Sequence, residues 1–412
     1  MMGSRLSGQN MWVTVGIQPA KGTAAYRYFY FQLDGATGIL PEFDVIESSR
    51  RTGTRFKNPG YRGMSQIPFG FEVELNPGNC GVLLYAGTGT ETGVVSGDGY
   101  SHAFTKAEEL PYCTILYSTA GIADSSGNTK IHRIMDAKLK FSLNMTTDNK
   151  VMISIEGIGI SADAITDAAV SFTADITDTS TTIDTISDTT GLFPGMPISG
   201  SGIPTDTIIV SVDIGTSTAV ISNAATATTT GVSISSSSFS TAASAAFTSD
   251  TPFFTKSPLG TGKLSIGATI GAVSQYYECR AIELTYDNNM DRDARIDDTV
   301  TPFGIEEGSS EVTGSLDCVY NGDSYTEISH FQANTNRALE IVLTTKNYFE
   351  TTEQKTLTIN INEATYTGSP GSWDVDVMSV SLPFSINMAE PFSFILYDNI
   401  GTEYNDVGTA IT

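Results

Sequence analysis

The run KLKFSLNMTTDNKVMISIEGIGI, residues 138–160, alternates apolar and polar side chains on both sides of a short polar turn. Alternation with a period of two places one set of side chains on each face of an extended chain, so the run reads as a β-hairpin. TLTININEAT (356–365) and WDVDVMSVSLPFSI (373–386) repeat the arrangement around a Gly/Ser/Pro turn. Helix signals are short: NPGNCGVLLYAGTG (76–89) and DSYTEISHFQANT (323–335) each begin after a capping-type residue. The fold class expected from these patterns is mainly β.

Composition agrees. Only 17% of the 412 residues are charged, against roughly a quarter in an ordinary domain, and the polarity rests on Thr, Ser, Asn and Asp. The net charge of −24 repels phosphate backbones and disfavours ordinary nucleic-acid binding. No run approaches the ~20 apolar residues of a membrane helix, and MMGSRLSGQNMWVTVG lacks the apolar core of a secretory leader. Cys80, Cys113, Cys279 and Cys318 form no CxxC pair and are expected as buried free thiols of a reducing cytoplasm. His102, His132 and His330 have no metal-ligand spacing.

Residues 161–250 contain no Lys, Arg, His, Glu, Trp or Tyr. Within them AVSFTADI, STTIDTI, DTIIVSVD, TAVISN and TGVSISSS are strand-like runs separated by Gly, Pro, Asn and Asp, the rhythm of a small β-sandwich or barrel. SSSSFSTAASAAFTSD behind them reads as a linker, so a folded insert on a loose tether is expected. Around it, the order strand, long polar loop, strand, helix, hairpin occurs twice. YRYFYFQLD and YECRAIELTYD open the two copies, and GFEVEL, beginning at Gly70, and GSLDCV, beginning at Gly314, lead into the helices. The division expected is 1–163, 164–246 and 247–412, with long loops at 42–66 and 287–310.

Motifs that carry chemistry are few. There is no GxSxG, HExxH or phosphate loop in its required setting, no cofactor motif, and no nucleophile–base pair. DNNMDRDARIDD (287–298) resembles a calcium loop but has Arg292 where glycine is needed and Asp298 where the bidentate Glu belongs. The two long loops differ in charge instead. Residues 42–62 carry Glu42, Asp44 and Glu47 against Arg50, Arg51, Arg55, Lys57 and Arg62, a net of +2. Residues 288–308 carry Asp291, Asp293, Asp297, Asp298, Glu306 and Glu307 against Arg292 and Arg295, a net of −4. Such loops either stay solvated or pair between neighbouring subunits, fixing register more than affinity.

GIQPAKGTAA (16–25), the passage GFEVELNPGNCGVLLYAGTGT…GYSHAFT…ELPYCTILYS, and above all EEGSSEVTGSL (306–316) resemble phage tail tube proteins of the siphovirus type. The resemblance spans most of 11–160 and 250–398. It implies two tandem tube β-sandwich/barrel domains, each with a short helix, and the insert resembles small Ig-like β-modules of phage structural proteins. It further implies a virion protein, assembled in the host cytoplasm, whose copies form stacked rings around a lumen that DNA crosses without specific binding. Two tube domains per chain imply trimeric, pseudo-hexameric rings. The partners implied are the chain itself and the tail terminator, tape measure and distal tail proteins. No catalytic residue, cofactor, metal or membrane is expected. A tail-tip or baseplate ring component, or a decoration protein with a glycan-binding insert, is the alternative; an enzyme acting through paired carboxylates has no site-like setting. The insert is expected to project outward, and deletion of residues 167–240 to leave assembly intact.

Overall fold

The structure, a computed structural model, describes residues 11–25, 27–37, 42–46, 61–97, 99–123, 129–146, 150–193, 195–213, 215–240, 254–255, 263–270, 275–293, 295, 301–348, 354–368, 379–401 and 404–405. The N-terminal unit runs β1 (Trp12–Ile17), β2 (Phe29–Thr37), β3 (Glu42–Ile46), β4 (Tyr61–Glu74), α1 (Cys80–Thr88), β5 (Gly89–Ser96), β6 (Gly99–Lys106), β7 (Cys113–Ala123), β8 (Thr129–Thr146), β9 (Met152–Gly159) and β10 (Ser161–Thr166). The hairpin at 138–160 forms as expected, and it is part of a closed circuit. Antiparallel ladders join β1 to β2, β2 to β4, β4 to β9, β9 to β8, β8 to β7 and β7 back to β1. Alternate residues such as Phe69, Phe71, Leu139, Phe141, Ile153 and Ile155 fill the core, with Val82, Leu83 and Leu84 of α1 packed among them. In β8 a register shift opposite Cys113 and Ile115 coincides with a positive φ of 53° at Asp136. Such a bulge bends a strand. The first half of β8 therefore lies between β7 and β10, and its second half beside β9.

The insert follows as β11 (Ser171–Ile176), β12 (Thr182–Asp184), β13 (Ile198–Gly200), β14 (Ile209–Asp213), β15 (Thr218–Ile221) and β16 (Thr229–Ser236). They pair in the order β13–β16–β11–β12–β15–β14. The two end strands are drawn together by a bridge between Pro197 and Ile208 and by Ile209 N–H donating to the Met196 carbonyl at 3.0 Å. The insert packs against the N-terminal unit, while residues 241–250 of the expected linker lie outside the described residues. Trp12, Leu116, Ile131 and Ile165 of the N-terminal unit share one buried cluster with Phe172, Ile176, Met196 and Phe239 of the insert and its exit. Phe239, inside the stretch read as linker, meets Tyr28 edge-on at 5.7 Å. Asp167 accepts the N–H groups of Phe239 and Ser240, so the chain enters and leaves at one point. A Ser/Ala-rich composition hid a single aromatic anchor.

The C-terminal unit runs β17 (Phe254–Thr255), β18 (Lys263–Gly267), β19 (Gln275–Tyr277), β20 (Cys279–Asp287), β21 (Asp291–Asp293), β22 (Gly304–Glu306), β23 (Glu311–Val319), α2 (Gly322–Gln332), β24 (Arg337–Tyr348), β25 (Gln354–Tyr366), β26 (Ser379–Ile386) and β27 (Phe392–Asp398). Its ladders β18–β24, β24–β25, β25–β26, β26–β23, β23–β20 and β25–β27 repeat β1–β7, β7–β8, β8–β9, β9–β4, β4–β2 and β8–β10. The irregularities repeat too. The shift at Cys113/Ile115 recurs at Arg337/Leu339, and that at Leu33/Gly35 recurs at Cys279/Ala281. Following register through β1 makes Phe29 equivalent to Gln275, while following it through β9 and β4 makes Leu33 equivalent to Cys279. The two routes agree. The two strand-opening glycines, Gly70 and Gly314, are one residue out of equivalence: Gly314 is the equivalent of Phe69, and Gly157 of Phe384. One cross-strand pair is thus Phe69 over Gly157 in one unit and Gly314 under Phe384 in the other. The same space is filled from opposite strands, because a Cβ on either glycine would meet the phenyl ring within 2.6 Å.

Two ladders join the units. β20 pairs with the second half of β8, from Ala281 opposite Thr146 to Tyr286 opposite Phe141. β27 pairs with β6, whose hairpin with β5 follows α1 and has no counterpart between α2 and β24. The two helices differ accordingly. α1 is buried along almost its whole length, whereas α2, closed by a capping box at Asn321, buries only Ser324 and Glu327. Glu327 is held there by Nε and Nη2 of Arg337 and by the Tyr366 hydroxyl. The expectation of four free thiols also fails. Cys279 and Cys318 are cross-strand partners and form a disulfide, at the positions Leu33 and Val73 hold in the N-terminal unit. Register, which residue spacing does not carry, brings them together; Cys80 and Cys113 are free and buried.

Candidate functional site

Because β8 bonds to β20, the strands β2, β4, β9, β8, β20, β23, β26 and β25 form one continuous surface across both units. Its core face carries the odd residues of β8 and the even residues of β20. The opposite face carries Glu72 and Glu74 of β4, Glu156 of β9, Glu283 and Asp287 of β20, and Glu311 and Asp317 of β23. Between them stand Ser142, Ser154, Thr285, Thr313 and Ser315. Against these seven carboxylates stand Lys138 and Lys140 of β8 and Lys150, which pairs with Glu74. Lys140 binds Asp287 at 3.0 Å and lies 3.5 Å from Glu156. Burial opposes its charge, but the bond to Asp287 and the two carboxylates outweigh that and raise its pKa. Alternation marks these residues as one face of each strand; only the β8–β20 ladder makes the two faces one.

The acidic loop does not stand free. Asn288 donates its amide to the carbonyls of Gly87 (2.9 Å) and Leu139 (3.2 Å) in the N-terminal unit. The Lys138 ammonium, almost fully buried, pairs with Glu307, which also accepts the Leu110 N–H at 2.9 Å. Lys21 donates to the Phe303 carbonyl and lies over its ring. Asp293 pairs with Arg295 at 2.7 Å, and Asp291 faces Glu306 across the β21–β22 ladder. Among the expected contact residues, Arg62 stands in β4, while Arg50, Arg51, Arg55, Lys57, Asp297 and Asp298 lie outside the described residues. The calcium-like positions Asp287 and Asn288 are engaged by Lys140 and by backbone carbonyls. Sequence reading missed Lys21, Lys138 and Asn288, which carry no motif and become contacts only when the units meet.

A second junction is buried and charged. His102 of β6 places Nδ1 2.9 Å from Glu91 of β5, and Nε2 3.0 Å from the Ile400 carbonyl and 3.5 Å from Asp398 of β27. Glu91 also accepts the N–H groups of Tyr404 and Asn405, and Tyr404 donates its hydroxyl to Asp398 at 2.6 Å. The Tyr404 ring occupies the space a side chain at Gly81 of α1 would need. Burial works against a charged His102, but the hydrogen bonds of Asp398 and Glu91 prevail and push its pKa up to about 10 from 6.5. A raised folded-state value means the stabilisation is complete below about 6.5 and is lost as pH rises through about 10. The thermal midpoint should therefore fall between pH 7 and 10, and His102→Gln should flatten that fall. Burial pushes the Tyr28, Tyr30 and Tyr117 phenols above their usual value, so their contribution is lost only at higher pH than this window.

A family model described as phage tail tube protein matches residues 13–386, an interval that includes the insert. No curated protein matches the chain.

Proposed function

The chain belongs to the phage tail tube protein family, a structural component of the virion tail, and on that premise we propose that three copies close into a pseudo-hexameric ring. The domains proposed are 1–163 and 247–412 as tube domains and 164–246 as the insert. The observation that carries the ring is the β8–β20 ladder, in which one unit adds its edge to the next. The equivalent of β20 in the N-terminal unit is β2, and past Leu33 its edge away from β4 has no strand partner among the described residues. An edge of this kind is satisfied by another chain. Repeating the same step from the C-terminal unit of one chain to the N-terminal unit of the next continues the sheet around an axis.

In that ring the acidic face turns inward. Seven carboxylates per chain along a channel repel the phosphates of passing DNA, so the duplex slides without sticking. Rings stack into the tube, and the tail terminator, tape measure and distal tail proteins meet its ends and interior. Assembly takes place in the host cytoplasm. Electron microscopy of the purified protein tests the reading: hollow tubes or rings are expected, and a monodisperse monomer across salt and concentration would overturn it.

A further inference from the structure

We infer that Cys279 and Cys318 form a redox latch: they stay thiols while the chain folds and assembles, and close into their disulfide once the particle leaves a reducing interior. The timing rests on the cytoplasmic assembly proposed above; the pairing itself does not.

Register supplies the geometry. Cys279 opens β20 and stands directly opposite Cys318 of β23. The same two positions of the N-terminal unit hold Leu33 and Val73, an apolar pair with no cross-link. Their settings match as well as their register. Cys318 and Val73 are both buried in the core, and Cys279 and Leu33 both pack on it while partly exposed. The ladder irregularity beside the pair occurs in both units, at Leu33/Gly35 and at Cys279/Ala281. The backbone therefore takes the same path with a covalent bond and without one. Two thiols behave as small hydrophobes and fill such a site as Leu and Val do, so folding does not need the bond.

The chemistry is thiol–disulfide exchange. Cys279, the more accessible of the two, attacks a low-molecular-weight disulfide such as glutathione disulfide as its thiolate, and one glutathione leaves. The Cys318 thiolate then attacks the Cys279 sulfur and releases the second glutathione. Two protein thiols are oxidised, one glutathione disulfide is reduced, and the two thiol protons end on the two glutathiones. A reducing cytoplasm drives the exchange backwards, and an oxidising medium drives it forwards. Cys80 and Cys113 stay out of it. Burial raises the Cys113 thiol to about 12 and the Cys80 thiol well above its usual value, so neither supplies thiolate.

The position of the bond gives the latch its role. It closes a loop between residues 39 apart in sequence. Inside that loop lie Asn288, bound to the Gly87 and Leu139 carbonyls, and Glu307, paired with Lys138. One foot of the loop is β20, the strand that joins the two units. Closed after docking, the bond resists unfolding of this junction, because a cross-link limits the unfolded chain.

Thiol counting in the full chain is the test. Cells making the protein are quenched in acid, denatured and treated with N-ethylmaleimide, and the intact mass is read. Four maleimides per chain, one for each cysteine, are expected from a reducing cytoplasm. Two, on Cys80 and Cys113, are expected once the purified protein has been incubated with glutathione disulfide. Oxidation should also raise the thermal midpoint by about 3–6 °C, the effect of closing a loop of this size in a chain of this length. Cys279→Leu with Cys318→Val restores the pair of the N-terminal unit. That variant should fold and assemble like the reduced protein and show no shift with oxidant. Two maleimides inside the cell, four after oxidation, or a variant that does not fold would each overturn the latch. Absence of rings from the wild type would overturn the ring reading and leave the thiol counts standing.

Discussion

Tyr404→Ala should destabilise the protein by about 3–5 kcal/mol, the range for removing a large buried ring that neighbours cannot replace. The ring is fully buried against Gly81, lies 5.5 Å from Phe29 and 5.2 Å from His102, and its hydroxyl holds Asp398. All of these except Asp398 belong to the N-terminal unit, so the loss falls on the junction between units. Tyr404→Phe keeps the packing and should cost less, about 1–3 kcal/mol for an acceptor left with one partner fewer. Denaturant unfolding measures both. If Tyr404→Ala unfolded at the wild-type midpoint, the C-terminal segment would not be a joint between the units.

Excising the insert should have the second large effect, and one opposite to the sequence expectation. Asp167 and Ser240 are hydrogen-bonded, so residues 168–239 can be removed across a short connection. The cut would uncover Trp12, Tyr28, Tyr30, Leu116, Ile131 and Ile165 on one face. Contiguous apolar surface of that kind drives association. Aggregation of the shortened chain is expected, read by light scattering, with solubility returning when Leu116, Ile131 and Ile165 are also changed to Thr. A shortened chain that stayed soluble without those changes would show the shared cluster to be dispensable.

These two features also show where sequence reading stopped. Alternation in residues 138–160 identified both strands and their buried faces, because period-two patterning is local. The helices and the repeated order of elements were visible for the same reason. What was not visible depends on register between distant strands. That Gly70 and Gly314 open the two strands one residue out of equivalence is one such feature, since glycine and phenylalanine have exchanged places across a ladder. Cys279 and Cys318 became partners only once β20 and β23 were paired. Of the site, the opposite charges of the two loops were readable. The counterpart of the acidic loop, Lys138, was not, because it is one polar residue on an ordinary strand until Glu307 of the other unit covers it.

The proposed ring needs half as many chains as wall segments, because each chain supplies two tube units joined by the β8–β20 ladder. Symmetry-resolved cryo-electron microscopy of assembled tubes tests it most directly. Three-fold rings with six similar wall segments are expected, each chain bridging two of them through β8–β20, with three insert densities on the outer surface. Rings of six whole chains, or walls in which the two units of one chain are not neighbours, would contradict it.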